Sequence, residues 1–374
     1  APIAFGGMPD TMALQLSPVA LAARIQGYFA LVAHTMPPAH QLYRGLPGLH
    51  VVARNPSDEE TDTTGSTHGG HYEVSIVEIH TPDAPFIFES LKHFFQKQGI
   101  RVLSAVHPIF SVRRQWERIV WIGDAKAAGS RELLCQFRVE RIEQQERLRR
   151  IEHQVYSLIK TVFLGVEDFG AMRRNLQELR TRLRGRPGHP DGTDSAQGFL
   201  DWLLADNYVL MGVLRFQRSP EGYEPDLVAA LGAFREPDLL RVVFPGLMEE
   251  ERRHATPADD DSRILDIDYR VNASAIHHVE PVDDFVVREW GPQGELEAAT
   301  LVLGRLAKSE FTAKADGIHL LKQKLEWLQQ ASGATVNSHT FRETRAIFNH
   351  FPKRELLYTG VTFLKDIIDK MVFL

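Results

Sequence analysis

The feature that most restricts the fold is a run of alternating elements between residues 71 and 165. "HYEVSIVEIH" alternates with period two, placing Tyr72, Val74 and Ile76 on one face and Val77 and Ile79 on the other. "PDAPFIFESLKHFFQKQG" follows with a helical pattern. Asp83 fits an N-cap and Pro85 the first turn. Ile87, Leu91, Phe94, Phe95 and Gln98 share one helical face, and Gly99 supplies a stop. "IRVLSAVHPIFSVRR", "RIVWIGD" and "ELLCQFRVERI" then read as strands. "EQQERLRRIEHQVYSLIKTVFL" reads as an amphipathic helix with Leu148, Ile151, Val155, Leu158, Ile159 and Val162 on its stripe. Strand, helix, strands, helix is most of a ferredoxin-like βαββαβ unit. Its last strand is not obvious. "NYVLMGVLRFQ" is a candidate that equally fits the next domain.

The flanking segments give the organisation. Residues 1–70 hold one helix, with Ser17 as cap and Pro18 at the first position, then a polar segment, 55–70, that reads as a mobile loop. Residues 166–184 form a short basic helix, and "GRPGHPDGTDSAQG" has the Gly, Pro and Asp density of a linker. The expected domains are therefore 1–70, an arm and loop; 71–165, the ferredoxin-like module; 166–195, basic helix and linker; 196–312, a second mixed α/β module; and 313–374, helical. In the second module "LLRVVF", "ILDIDYR", "DFVVREW" and "EAATLVLGRLA" read as strands, with a hairpin turn at 291–294. In the helical segment Gly333 ends one helix, Ser338 caps the next and Pro352 stops it. The fold class expected is α+β.

The search for chemistry yields little. The sequence has no dinucleotide or phosphate-loop fingerprint, no nucleophile elbow, no H-E-x-x-H and no C-x-x-C. His68, His71, His80, His277 and His278 are the only tempting ligands, but they lack the fixed spacing and second shell of a zinc site. Asp259, Asp260 and Asp261 lack the calcium-loop spacing and read as a solvated loop. His107, in "AVHPIF", reads as a hydrogen-bonded histidine within a strand rather than a catalytic base. The arginines from Arg173 to Arg186 lack interleaved aromatics, so a solvated face or an acidic partner fits them better than nucleic acid. The net charge of −6 gives no reason to expect nucleic acid or a membrane surface as partner. No apolar run reaches the roughly 20 residues of a membrane span. Cys135, the single cysteine, reads as a buried structural thiol and fits a reducing cytoplasm. No starting Met is present, and apolar residues run to the last position, so the chain reads as a piece of something longer.

Three ordered blocks carry a family resemblance. The first is "VEIHTPDAPFIFESLKHFFQKQGIRVLSAVHPIFSVRR", with Asp83, Pro85, Phe86, Ser90, Gly99, His107, Pro108 and Arg113 in place. The second is "FLDWLLADNYVLMGVLRF", with Phe199, Trp202, Asp206, Tyr208, Gly212 and Arg215. The third includes Gly304, Leu321, Lys324, Gly333, Ser338, His339, Pro352 and Glu355. Together they resemble the N-terminal region of the large bacterial NAD-specific glutamate dehydrogenases. Two departures stand out: "HTFRET" where the family has a Gly-Lys pair, and "PKREL" where it has Pro-Arg-Asp-Glu-Leu.

The resemblance implies that 71–165 is an ACT-like module in a regulatory and assembly region. It implies an oxidoreductase of amino-acid catabolism that converts L-glutamate, water and NAD to 2-oxoglutarate, ammonium and NADH. Its catalytic and NAD sites would lie downstream, with no catalytic residue, cofactor or metal held by this chain. Expected partners are the downstream catalytic region of the same polypeptide, further copies in a homo-oligomer, and an amino-acid effector exerting allosteric control. The effector is expected at Asp83, Ser90 and His107. The same three residues also fit plain structural roles: cap, helix-face hydroxyl and strand histidine. Two other classes stay open: a free-standing ligand-binding or scaffold protein, and a nucleic-acid binder using Arg173–Arg186.

Overall fold

A computed structural model describes residues 18–33, 48–56, 74–115, 118–184, 190–219, 222–243, 264–269, 283–307, 314–333 and 335–372. The expected loop at 55–70 falls almost wholly outside these residues. So do His68, His71, Asp259 to Asp261, His277, His278 and Arg186. The chain is α+β and divides into two compact units. The first takes the described residues up to Phe163, the second those from Leu164 on.

The first unit contains helix α1 (Pro18–Ala33) and strands β1 (His50–Arg54) and β2 (Val74–Pro82). Helix α2 (Ile87–Lys97) and strands β3 (Val102–Val106), β4 (Ile109–Gln115), β5 (Arg118–Asp124) and β6 (Ser130–Glu140) follow. Helix α3 (Gln145–Leu183) begins in this unit and ends in the second. All strand pairs are antiparallel, in the order β1-β2-β6-β4-β5, with β3 also on β6.

This is the ferredoxin-like arrangement with one substitution. The place beside β2, which the motif gives to a strand after the second helix, is held by β1, from before the first strand. "NYVLMGVLRFQ" does not fill it, and the expected module start at 71 leaves β1 out. Pro108 has no N–H to offer a ladder, and β3 and β4 stop on either side of it.

Register decides what each face carries. Ser75, Val77, Ile79 and Thr81 of β2 lie opposite Val139, Phe137, Cys135 and Leu133 of β6. That face is apolar at its centre, and α2 closes it with Ile87, Leu91, Phe94 and Phe95. Phe95 meets Phe137 at 4.9 Å between ring centroids. The stripe of α3 expected from Leu148 to Val162 is buried, and Glu152 accepts the Ala53 N–H of β1 at 3.1 Å. Cys135 is fully buried, as its alternating neighbours suggest.

In the second unit, helix α4 (Pro190–Trp202) runs through a one-turn π segment, 203–207, into β7 (Tyr208–Ser219). Then come β8 (Gly222–Pro225), β9 (Leu231–Gly232), α5 (Pro237–Val243), β10 (Leu265–Tyr269), β11 (Asp283–Trp290) and β12 (Leu296–Leu306). The sheet is antiparallel, ordered β10-β11-β12-β7-β8, with β9 on β7. Helices α6 (His319–Ala331), α7 (His339–His350), α8 (Lys353–Tyr358) and α9 (Val361–Val372) complete the unit. Their Leu321, Leu325, Phe348, Leu356 and Leu364 share one core with Phe285, Val302 and Val213 of the sheet. The expected helical segment is thus built into the core of the second module. Gly333 takes a left-handed φ of 67°, and Ser338 caps α7 by accepting the Phe341 N–H at 3.1 Å.

Three expectations fail here. The basic segment 166–184 is not a separate short helix but the second half of the 39-residue α3. Met172, Leu176, Leu179 and Leu183 continue the apolar stripe into the second core. The linker is helical from Pro190, where proline suits the first position and Ala196, Phe199 and Leu200 bury. "LLRVVF" contributes to helix α5, not a strand. Pro237 starts that helix and Asp238 favours its N-terminal turn.

Candidate functional site

The β2–α2 junction carries the residues expected to meet an effector. The helix starts at Ile87, so Asp83 lies too early to cap it. Phe86 holds the cap position at φ 72° without a side-chain hydrogen bond. A left-handed φ on an aromatic residue is strained, and such strain is concentrated at ligand-binding and switch sites. Asp83 pairs instead with Arg131 at 2.8 Å, and its N–H bonds the Arg131 carbonyl at 3.0 Å. Ser90 is fully buried beneath the helix. His107 is not inside a strand. It sits exposed between β3 and β4, stacked on Phe88 at 3.8 Å. Burial against its neighbours pulls the His107 imidazolium down; Glu89 opposes that shift and Lys92 adds to it. The three residues therefore occupy three different settings: an ion pair, a sealed helix face and an open aromatic stack.

Sequence reasoning missed a denser polar cluster on the other face of this sheet. By register, Val52, Glu78 and Gln136 form one row across it, and His50 and His80 face each other in the next. Glu132 is the hub. Its Oε2 lies 2.7 Å from His80 Nε2, and Arg114 Nη2 donates to the same oxygen at 3.0 Å. Arg114 Nη1 and the Ser130 hydroxyl take Oε1. Burial pushes the Glu132 carboxyl up, but the bonds from His80 and Arg114 outweigh it and hold it below its ordinary value. A second chain runs beside the first. Arg54 Nε donates to Glu78 Oε2 at 3.1 Å, Gln136 Nε2 to Glu78 Oε1 at 2.8 Å, and the Tyr28 hydroxyl of α1 to Gln136 Oε1 at 2.8 Å. Glu78, His80, Glu132 and Gln136 are all buried. Two carboxylates and two guanidiniums balance, as buried charges must. The available signal was "VEIH", residues 77–80, where polar and apolar residues alternate. The same pattern describes a strand with one face in water.

The second unit has its own hub in Asp283. Arg354 of α8 grips its carboxylate, Nε to Oδ1 at 3.0 Å and Nη2 to Oδ2 at 2.8 Å. The Tyr358 hydroxyl donates to Oδ1 and the Leu306 N–H to Oδ2 at 3.0 Å. Tyr208 donates to the Asp283 carbonyl. Burial, reinforced by the Asp283 charge, drives both tyrosine hydroxyls far above their ordinary values. Lys324 of α6 donates to the carbonyls of Leu356, Leu357 and Thr359, the open end of α8. Burial pulls its ammonium down to about 8.

The basic stretch of α3 is used within the second unit. Arg173 pairs with Asp206, Arg180 with Asp201, and Arg182 with the fully buried Glu289, which Arg215 also binds. Among the described residues, no group of three or more His, Cys, Asp or Glu could hold a metal ion. No helix among them is long and apolar enough to cross a membrane.

Comparison with known proteins places these elements. The model of the glutamate dehydrogenase ACT1 domain matches residues 38–155, and that of glutamate dehydrogenase helical motif 1 matches 318–374. Both matches, with the relatives below, support an N-terminal region of the NAD-specific glutamate dehydrogenase family. It is 22% identical over 303 residues to the NAD-specific glutamate dehydrogenase of Pseudomonas aeruginosa, covering 79% of this chain and 19% of that enzyme. It is 23% identical over 327 residues to the enzyme of the same name from Halomonas elongata, covering 84% of this chain and 20% of that enzyme. The chain thus spans about a fifth of the length of these relatives. The ACT1 match takes in β1 through the first turns of α3, so the family's domain includes the strand that completes the sheet. Helical motif 1 is the α6–α9 segment.

Proposed function

We propose that this chain is a regulatory and assembly region of a large NAD-dependent glutamate dehydrogenase. The enzyme would convert L-glutamate, water and NAD to 2-oxoglutarate, ammonium and NADH at a catalytic centre elsewhere in the polypeptide. The observation that carries the reading is the pairing of an ACT1 match on the ferredoxin-like sheet with a helical motif 1 match on α6–α9. The carboxylates buried in both units support it. Glu132, Glu78, Asp283 and Glu289 are committed to ion pairs. Such groups hold structure rather than move protons.

An amino-acid effector would bind at the β2–α2 edge. The strained Phe86 and the exposed His107–Phe88 stack favour that edge, with Asp83 bordering it through its pair with Arg131. Ser90 would act from within, as part of the packing beneath the helix. Further copies of the polypeptide are the expected assembly partners.

The test uses full-length enzyme. Deleting residues 50–140 should leave NAD-dependent glutamate oxidation measurable but abolish its response to amino acids. It should also change the oligomer size seen by light scattering. Unchanged effector response and unchanged oligomer size would overturn the proposal.

A further inference from the structure

The last helix of the second unit is apolar over more of its surface than it buries. At 100° per residue, the apolar side chains of α9 span an arc of about 180°. Leu364 and Ile368 fill the middle of that arc and are buried in the core shared with the sheet. Phe363, Ile367 and Met371, at i, i+4 and i+8, form a second stripe beside them. Phe363 is 63% exposed, Met371 48%, and Ile367 is half-buried. On α6, which packs against α9, Trp327 is 41% exposed. It lies one turn along from Lys324, whose ammonium donates to the Thr359 carbonyl at the foot of α9 at 3.0 Å. Trp327 therefore stands on the side of α6 that meets the start of α9.

Single exposed apolar residues are ordinary, but a stripe continuous with the interior is not. Leu320 of α6 and Val372 of α9, both partly buried, already touch the core beside it. The stripe is thus an unfinished edge of that core, and interfaces that resemble a core cut in half belong to permanent associations. Its ridge from Phe363 to Met371 is about 12 Å long, enough for another helix to pack across it. Asp366 and Lys370, exposed on the same helix, carry one charge of each sign, which does not suit a polyanion. Two occupants fit such an edge: a second copy, or another part of the same polypeptide. The chain spans about a fifth of the length of the relatives it matches, which leaves about four-fifths of such a polypeptide to supply the cover. A tethered segment also docks at high effective concentration, whereas a second copy loses translational and rotational freedom on association.

We infer that the face made by Trp327, Phe363, Ile367 and Met371 is covered, in the whole enzyme, by an amphipathic helix from outside residues 1–374 of the same polypeptide. The inference rests on the proposed reading of this chain as one region of a longer dehydrogenase. The covering helix lays an apolar ridge along α9 and completes the second core.

Hydroxyl-radical footprinting read by mass spectrometry tests it without any substitution, because tryptophan, phenylalanine and methionine side chains all react. Trp327, Phe363 and Met371 should be oxidised readily in this chain, and more slowly by at least about fivefold in the full-length enzyme, as at the dry centre of an interface. Equal oxidation in both would show the face open in the enzyme and overturn the inference. The identity of the cover is read by placing photoreactive benzoylphenylalanine at position 363 of the full-length enzyme. A cross-link to a peptide from outside residues 1–374 is the expected result. A cross-link joining residues 1–374 of two copies would assign the face to a second copy and overturn the inference. So would protection of this chain alone that grows with its concentration. A native polypeptide no longer than this chain would overturn the proposed function along with this inference. A longer one with the face open would overturn this inference alone.

Discussion

Replacing Asp283 by alanine should be among the most damaging single changes in the second unit. Its carboxylate is 5% exposed and receives four donated bonds: two from Arg354, one from Tyr358 and one from the Leu306 N–H. Arg354 and Tyr358 both belong to α8, so the carboxylate ties that helix to the first residue of β11. Removing one partner of a buried ion pair costs about 3–5 kcal/mol, because the other charge loses its compensation. Domains are stable by only about 5–15 kcal/mol, so this is a large share of the total. With a urea dependence of about 2 kcal/mol per molar, the midpoint should fall by roughly 1.5–2.5 M. Asp238→Ala is the control. Asp238 pairs with Arg241 one helical turn away, but it is 94% exposed, and exposed pairs contribute little. The assay is urea denaturation of both variants beside the parent chain, followed by fluorescence. If Asp283→Ala shifts the midpoint no more than Asp238→Ala does, the hub carries no such energy and the reasoning is refuted.

Glu132→Gln should flatten the acid limb of stability. The folded carboxyl lies below its ordinary 4.5, so its contribution is complete above that pH and is lost as pH falls through the folded value; melting from pH 6 to 3 measures it. Lys324→Met should cost about 2 kcal/mol by leaving carbonyls at the end of α8 without their donor, read from the melting temperature. Because burial lowers the lysine to about 8, its charged form is penalised on folding. The parent should therefore gain on this variant as pH climbs from 8 to 10.5, and a fixed difference across that window would contradict the assignment. Cys135 should resist a thiol reagent until the sheet unfolds, because burial raises its thiol far above the ordinary value; rapid native labelling would contradict its placement.

Legibility in the sequence followed the strength of the periodic signal. β2, α2, β6, β11 and β12 were readable because their apolar residues repeat at 2.0 or 3.6 positions over seven residues or more. β1 was not, because its five residues bury only Val51 and Ala53 and nothing local says they pair with β2. The length of α3 was hidden by Gly165 and Gly170, each a loss of about 1 kcal/mol relative to alanine in a helix. Packing of Met172, Leu176 and Leu179 outweighs that loss. The start of α4 was hidden by turn-forming composition, although Gly198 is there for close packing. A Cβ on it would come within 2.8 Å of the His319 ring. At the candidate site the limit is of another kind. Period two along β2 puts Glu78 and His80 on one face, but whether that face is buried is decided by elements distant in the chain, among them α1, more than forty residues earlier. Charge pairing across three strands leaves no local pattern at all.

The central claim is that this chain is one region of a much longer dehydrogenase. The most direct test is the intact mass of the native polypeptide, captured from source cells with an antibody against the α6–α9 segment. A mass several-fold above the 42.3 kDa of this chain, with NAD-dependent glutamate oxidation in the captured material, is the expected result. A mass near 42.3 kDa, with no such activity, would contradict it.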